Sequence, residues 1–199
     1  MSRSRHRKTT VKKSPPLALI LAGVGLLALA GIALIWTASD SPAETSESAA
    51  LGGQESAIPR EVDFPAPAVA LQDVQGQPAA LADYAGQVVL VNHWATWCPP
   101  CKAEMPVLQE YYHDYHQQGF TIVAIEAGEP LNEVSAYVQK AGLTFPVWVD
   151  PQQSGMRAFQ VFSLPTSFVI DRQGQARLAW TGAISRAMLE EYVTPLLVQ

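Results

Sequence analysis

Apolar and polar positions divide the chain into an apolar block, a polar stretch and a patterned remainder. Residues 17–36 are twenty consecutive positions without a charge. At about 1.5 Å per residue a helix of that length crosses a bilayer core of ~30 Å, so the block predicts one transmembrane helix. Residues 1–16 form a basic tail with Arg3, Arg5, Arg7, Lys8, Lys12 and Lys13. A basic flank stays cytoplasmic, which predicts that everything after Trp36 lies on the extracytoplasmic, periplasmic side. A cleavable signal peptide shares this charge pattern. Its apolar region, however, is only ~7–15 residues long, and cleavage candidates such as Ser41-Pro42-Ala43 are weak. An uncleaved anchor in the cell membrane is therefore expected. Residues 37–61, rich in Ala, Ser, Glu, Thr and Gly, have little to bury and predict a flexible acidic linker.

Residues 62–199 carry the periodicities of one folded domain. Short apolar runs at 69–74 and 76–81 about a Gln75-Gly76 turn predict a β-hairpin, and 83–86 a helical turn. The run 87–94 is apolar and β-branched, as in a strand covered on both faces. Met105, Leu108, Tyr111, Tyr112 and Tyr115 then recur at spacings of three and four, the period of an amphipathic helix beginning at Cys98 and ending before Gly119. A buried strand at 120–125 completes a β-α-β unit. Further expected elements are a helix over 131–141 closed by Gly142, a strand at 145–149, a helical turn in 151–159, a hairpin of 166–170 with 175–180, and a last helix over 186–197 capped by Ser185 and open to disturbance by Pro195. This alternation predicts an α/β fold: a central mixed sheet flanked by helices, with an N-terminal β-hairpin extension.

Composition narrows the chemistry. Six of thirteen basic residues precede residue 17 and all eighteen acids follow residue 36, so the remainder carries about −11. Such a domain has no basic footprint for nucleic acid. Two cysteines, Cys98 and Cys101, are too few for a disulfide framework or a four-cysteine zinc site, and their spacing points to redox or metal use. Cys98 falls at a helix N-terminus, where free N–H groups and the macrodipole favour a thiolate. Pro99 and Pro100 lack N–H groups, which leaves fewer donors for it. His113 and His116 share a helix face, but a solvated polar face explains them better than a metal site.

The segment Trp97-Cys98-Pro99-Pro100-Cys101-Lys102, with Pro106 inside the helix and Leu164-Pro165-Thr166 before a late strand, resembles the thioredoxin superfamily. The order of anchor, linker and domain is similar to its membrane-tethered TlpA/ResA group. The resemblance implies a thioredoxin-like fold and a thiol:disulfide oxidoreductase needing no cofactor beyond a redox-active Cys98–Cys101 disulfide. Cys98 would be the nucleophile and Cys101 the resolving thiol. Pro165 would be a cis-proline beside the disulfide, and Trp97, Pro99, Pro100, Leu164 and Thr166 would complete the substrate surface. Glu104 stands where the tethered group places an active-site glutamate, and becomes the candidate for proton transfer with Cys101. Soluble thioredoxins have a buried aspartate where this chain has Asn92, which cannot take up a proton near neutral pH. His93 is expected to be a packed ring with one hydrogen bond.

Similar proteins act as reductants of protein disulfides, in haem attachment or copper-site assembly, fed by a membrane thiol transporter. The alternatives are a disulfide-forming oxidant and a metal-binding or metallochaperone module built on the Cys-x-x-Cys pair. A peroxide-reducing enzyme would need Pro at position 91 and Thr at 95, where Val91 and Ala95 stand.

Overall fold

The computed structural model describes residues 58–198. The basic tail, the expected anchor at 17–36 and nearly all of the expected linker lie outside the described residues. Among the described residues no helix is long and apolar enough to cross a membrane.

The centre of the domain is β4 (Val88–Trp94), buried at all seven positions. Its β-branched run suits a strand covered on both faces. Strand β5 (Phe120–Glu126) lies parallel to it on one side and β7 (Thr166–Ile170) antiparallel on the other. The remaining strands are β1 (Arg60–Pro65), β2 (Ala70–Asp73), β3 (Pro78–Ala80), β6 (Val147–Val149) and β8 (Gln175–Thr181). Together they form one mixed sheet in the order β1-β8-β7-β4-β5-β6-β2-β3. The predicted hairpin β2–β3 thus joins the main sheet through β6, at one edge.

Alternation along β4 sends its side chains to two separate cores. Leu90 and Trp94 pack with Met105 and Leu108 of α1 (Pro99–Tyr115) and with Leu189 near the C-terminus. Val89 and Val91 pack instead with Ile125, Phe159 and Phe168. Helix α2 (Leu131–Ala141) contributes Val134 to the first core and ends at Gly142 in the left-handed region, as predicted. Short α3 (Ser154–Ala158) lies on the second face.

One element departs from expectation. Strand β1 begins at Arg60, inside the stretch expected to be linker, and pairs antiparallel with β8, Arg60 opposite Ala179 and Pro65 opposite Gln175. Only Val62 and Phe64 turn inward from it, Phe64 meeting the Phe168 ring edge-on at 6.2 Å, so its apolar signal is faint. The last helix is not uniform. Arg186–Met188 (α4) is α-helical, Leu189–Val193 takes a π turn, and Thr194–Leu197 (α5) is α-helical again. Pro195 has no N–H for the regular ladder, which is where a register shift is tolerated.

Candidate active site

The site is built where β4 stops and α1 starts. Cys98 is the N-cap of α1 in extended conformation, and Pro99 and Pro100 occupy the first helical positions, where a missing N–H costs nothing. The first free donor is therefore the N–H of Cys101, which points at Cys98 Sγ from 3.3 Å. Cys98 and Cys101 are joined as a disulfide across one helical turn. Cys98 retains 3% exposure whereas Cys101 has none, so an incoming partner meets Cys98. Trp97 beside it is 64% exposed.

One turn further into α1, Glu104 is buried and held by polar atoms from two other segments. Asn92 of β4 donates from Nδ2 to Glu104 Oε1 at 2.9 Å, and the backbone N–H of Ile184 donates to Oε2 at 3.0 Å. Asn92 Nδ2 also donates to Ser167 Oγ of β7 at 2.9 Å. Burial disfavours the charged carboxylate, and although both donors oppose it, burial wins and Glu104 is pushed up to about 7. A carboxyl that titrates near neutrality can release and take up a proton during turnover. Asn92, unable to do so itself, holds the group that can.

The Leu164–Pro165 peptide bond is cis. Pro165 is buried at the start of β7, its carbonyl accepting from Gly182 N–H at 2.8 Å, and Thr166 Oγ1 donates to the Ser163 carbonyl at 2.8 Å. The segment 182–184 thus ties the proline loop to Glu104 in two adjacent hydrogen bonds. Between this loop and the helix tip lies a groove of about 370 Å³, lined by Trp97, Cys98, Pro99, Pro100, Met156 and Leu164. Of the residues expected at the site, Trp97, Cys98, Pro99, Pro100 and Leu164 line this groove; Cys101, Glu104 and Pro165 are buried and do not line it, and Thr166 turns away, toward Thr181 on β8 at 3.2 Å. Ser167, Gly182 and Ile184 were not legible in the sequence, because their contribution is a tertiary contact and two of the three act through backbone atoms.

His93 corrects an expectation. It is fully buried between the Phe159 and Phe168 rings, 5.3 and 6.3 Å away, and neither ring nitrogen has a hydrogen-bond partner among the described residues. Burial lowers it to about 4, against a weaker upward pull from Asp150, so the ring is neutral. On strand alternation it faces away from Asn92 and Glu104. His113 and His116 are exposed at the far end of α1, His116 stacked on Tyr112. Among the described residues no three His, Cys, Asp or Glu side chains are placed to hold a metal ion.

Comparison with known proteins agrees with this geometry. The AhpC/TSA family model matches residues 62–179. The thiol-disulfide oxidoreductase ResA of Geobacillus kaustophilus is 39% identical over 128 residues, covering 64% of this chain and 74% of that protein. ResA of Bacillus subtilis is 35% identical, covering 64% and 72%. Among solved structures, a thiol:disulfide interchange protein of the thioredoxin family from Chlorobium tepidum superposes with a TM-score of 0.63 at 33% identity, covering 68% of this chain and 97% of its own. With a thioredoxin-like sheet and a Cys-x-x-Cys disulfide at its helix tip, the chain belongs to the AhpC/TSA family and is a thiol-disulfide oxidoreductase.

Proposed function

We propose that the chain is a membrane-tethered reductant of protein disulfides on the extracytoplasmic side, serving cytochrome c or copper-site maturation and drawing electrons from a membrane thiol transporter. The observation that carries the reading is the arrangement of the dithiol over a neutral-range acid, Cys98 at the groove and Cys101 buried one turn above Glu104. In the reduced protein the Cys98 thiolate attacks a substrate disulfide. A mixed disulfide forms at Cys98 and the first substrate sulfur leaves as a thiolate that takes a proton. Glu104 then accepts the Cys101 proton. The Cys101 thiolate attacks Cys98 Sγ, closing the Cys98–Cys101 disulfide and releasing the second substrate thiol. Two electrons have passed to the substrate, and the membrane donor restores the dithiol.

Support for the tether is the uncharged block at 17–36 behind its basic tail. Support for a protein substrate is the groove and the proline loop beside Cys98, where an extended chain can lie. Peroxide reduction finds no footing, since Val91 and Ala95 are buried apolar residues where that chemistry needs Pro and Thr. The reading is tested with Cys101→Ser in cells. Covalent complexes held through Cys98 and released by dithiothreitol are expected; recovery of none, or of complexes held through another residue, would reject it. A reduction potential of the parent near −120 mV rather than near −270 mV would make it an oxidant instead.

A further inference from the structure

The turn that presents Cys98 is held from its other side by a pair of acids that the exchange mechanism above does not use. Glu126 ends β5, in register with Trp94 of β4 and Val149 of β6, and is fully buried. Gly128, with φ of +107°, lets the chain fold back so that Glu129 returns over Glu126. The Glu129 N–H lies 2.9 and 3.2 Å from the two carboxyl oxygens of Glu126. The Glu129 carboxylate, 9% exposed, accepts the Thr96 N–H at 2.7 Å on one oxygen and the Thr96 hydroxyl on the other. Thr96 stands two residues before Cys98, whose own N–H donates to the Ala95 carbonyl at 3.2 Å.

We propose that Glu129 is a positioning residue for thiol exchange, its carboxylate clamping the turn that presents Cys98, with Glu126 as the buried acid that keeps this carboxylate in place. The inference rests on Cys98 being the attacking thiol.

Charge balance supports it. An ionised carboxylate only accepts, which is what two donors from one residue require. Neither acid is ion-paired or hydrogen-bonded to a Lys, Arg or His among the described residues, and two carboxylates in direct contact cannot both ionise cheaply. Burial, and then the contact with Glu129, push Glu126 up to about 8. Burial works against Glu129, but bonds from Thr96 and Glu126 outweigh it and hold Glu129 below its ordinary value. Neutral Glu126 thus donates to ionised Glu129. Trp94 lies in register with Glu126, Tyr137 of α2 packs on that indole at 5.1 Å, and among the described residues Glu129 is the titratable group that acts on Glu126.

The clamp fixes a negative charge beside the helix tip on which Cys98 must also become negative. Removing it therefore has a sign. In the full chain, purified in mild detergent and reduced, Glu129→Gln is expected to lower the pH midpoint of Cys98 alkylation by iodoacetamide. At pH 7 this reads as about threefold faster alkylation, with a less negative reduction potential. Thr96→Val, which alters no buried charge, should move both readouts the same way by less, and Thr96→Ser should restore them. Glu126→Gln, whose amide donates at every pH, should remove an inflection near pH 8 that the parent shows. Unchanged midpoints and potentials in Glu129→Gln and Thr96→Val overturn the clamp, even with lowered melting temperatures, since a purely structural contact would move only those. Mass spectrometry of the alkylated thiol separates the two ideas. Alkylation first at Cys101 overturns the assignment of Cys98, and equal rates at Cys98 overturn only the positioning role.

Discussion

At the scale of single residues, β4 carries two neighbours whose pH behaviours oppose each other through the sheet. Asn92 supports Glu104 on one face, and His93 is stranded between aromatic rings on the other. Glu104, raised to about 7, holds a proton in the fold that the unfolded chain has lost, so its contribution is full below about 4.5 and fades as pH rises toward 7. His93, lowered to about 4, does the reverse: the unfolded chain binds a proton below about 6.5 that the fold refuses, so stability is lost as pH falls from there toward 4, on the order of 3 kcal/mol in all. Glu126 acts in the same direction as Glu104. Between pH 4.5 and 6.5 the two acids outweigh the one histidine, and stability should fall as pH rises. His93→Phe removes the opposing proton and two unpaired nitrogens. Urea unfolding should show a steeper fall with pH and, at pH 7, a gain of about 1 kcal/mol; a loss at pH 7 would mean the imidazole has a partner after all. Glu104→Gln should flatten the same curve. It should also remove the inflection near pH 7 from the rate of insulin-disulfide reduction, with about a hundredfold loss of rate. An unaltered profile would exclude Glu104 from proton transfer. Cys98, Cys101 and the Asn92 substitution were legible because residue type and spacing state their chemistry. The absence of a partner for His93 was not, because it depends on what the second core brings against the ring.

Among the elements, the site depends on connections that carry little sequence signal. The β4–α1 turn was legible from a strand pattern meeting a helix pattern with cysteines between them. The 182–184 segment was not, since it acts through the N–H groups of Gly182 and Ile184, which any residue but proline supplies. Strand β1 was not legible for a related reason: an edge strand with one half-buried face needs only two apolar side chains, and its hydrogen bonds go to β8 regardless of sequence. Helix α3 shows how such connections bear on the groove. Asp150, fully buried, accepts from Ser154 N–H and hydroxyl at 2.8 Å each and from Gly155 N–H at 2.7 Å, closing the start of a helix only five residues long. That helix supplies Met156 to the groove beside Cys98. Asp150→Ala leaves three donors without their acceptor and should cost about 2 kcal/mol in urea unfolding. It should also raise KM for a protein disulfide more than for a small-molecule disulfide. Equal effects on both substrates would show that α3 is scaffold alone.

For the whole molecule, the decisive relation is between the sheet's polarity and the point where the chain enters it. β1 runs antiparallel to β8, so Arg60 lies level with Ala179, at the same end as Thr181, Thr166 and the proline loop. Ile58 and Phe162 line one hollow, and Phe162 also borders the groove that contains Cys98. The described chain therefore enters the sheet at the pole that holds the disulfide. For the proposed tether this makes attachment a matter of aim as well as of distance. Residues 37–57 extended would reach at most ~70 Å, but as a coil only about 25 Å. Removing half of them should slow reduction of a bilayer-anchored disulfide while leaving a soluble peptide disulfide unaffected; equal loss on both would disprove a role in reach. A domain leashed at its opposite pole would turn its thiols outward to the solvent and sample free proteins. Under the proposed tether, a domain leashed beside the groove would be biased to look back along its own leash, and its first clients would be those that share the surface to which it is tied.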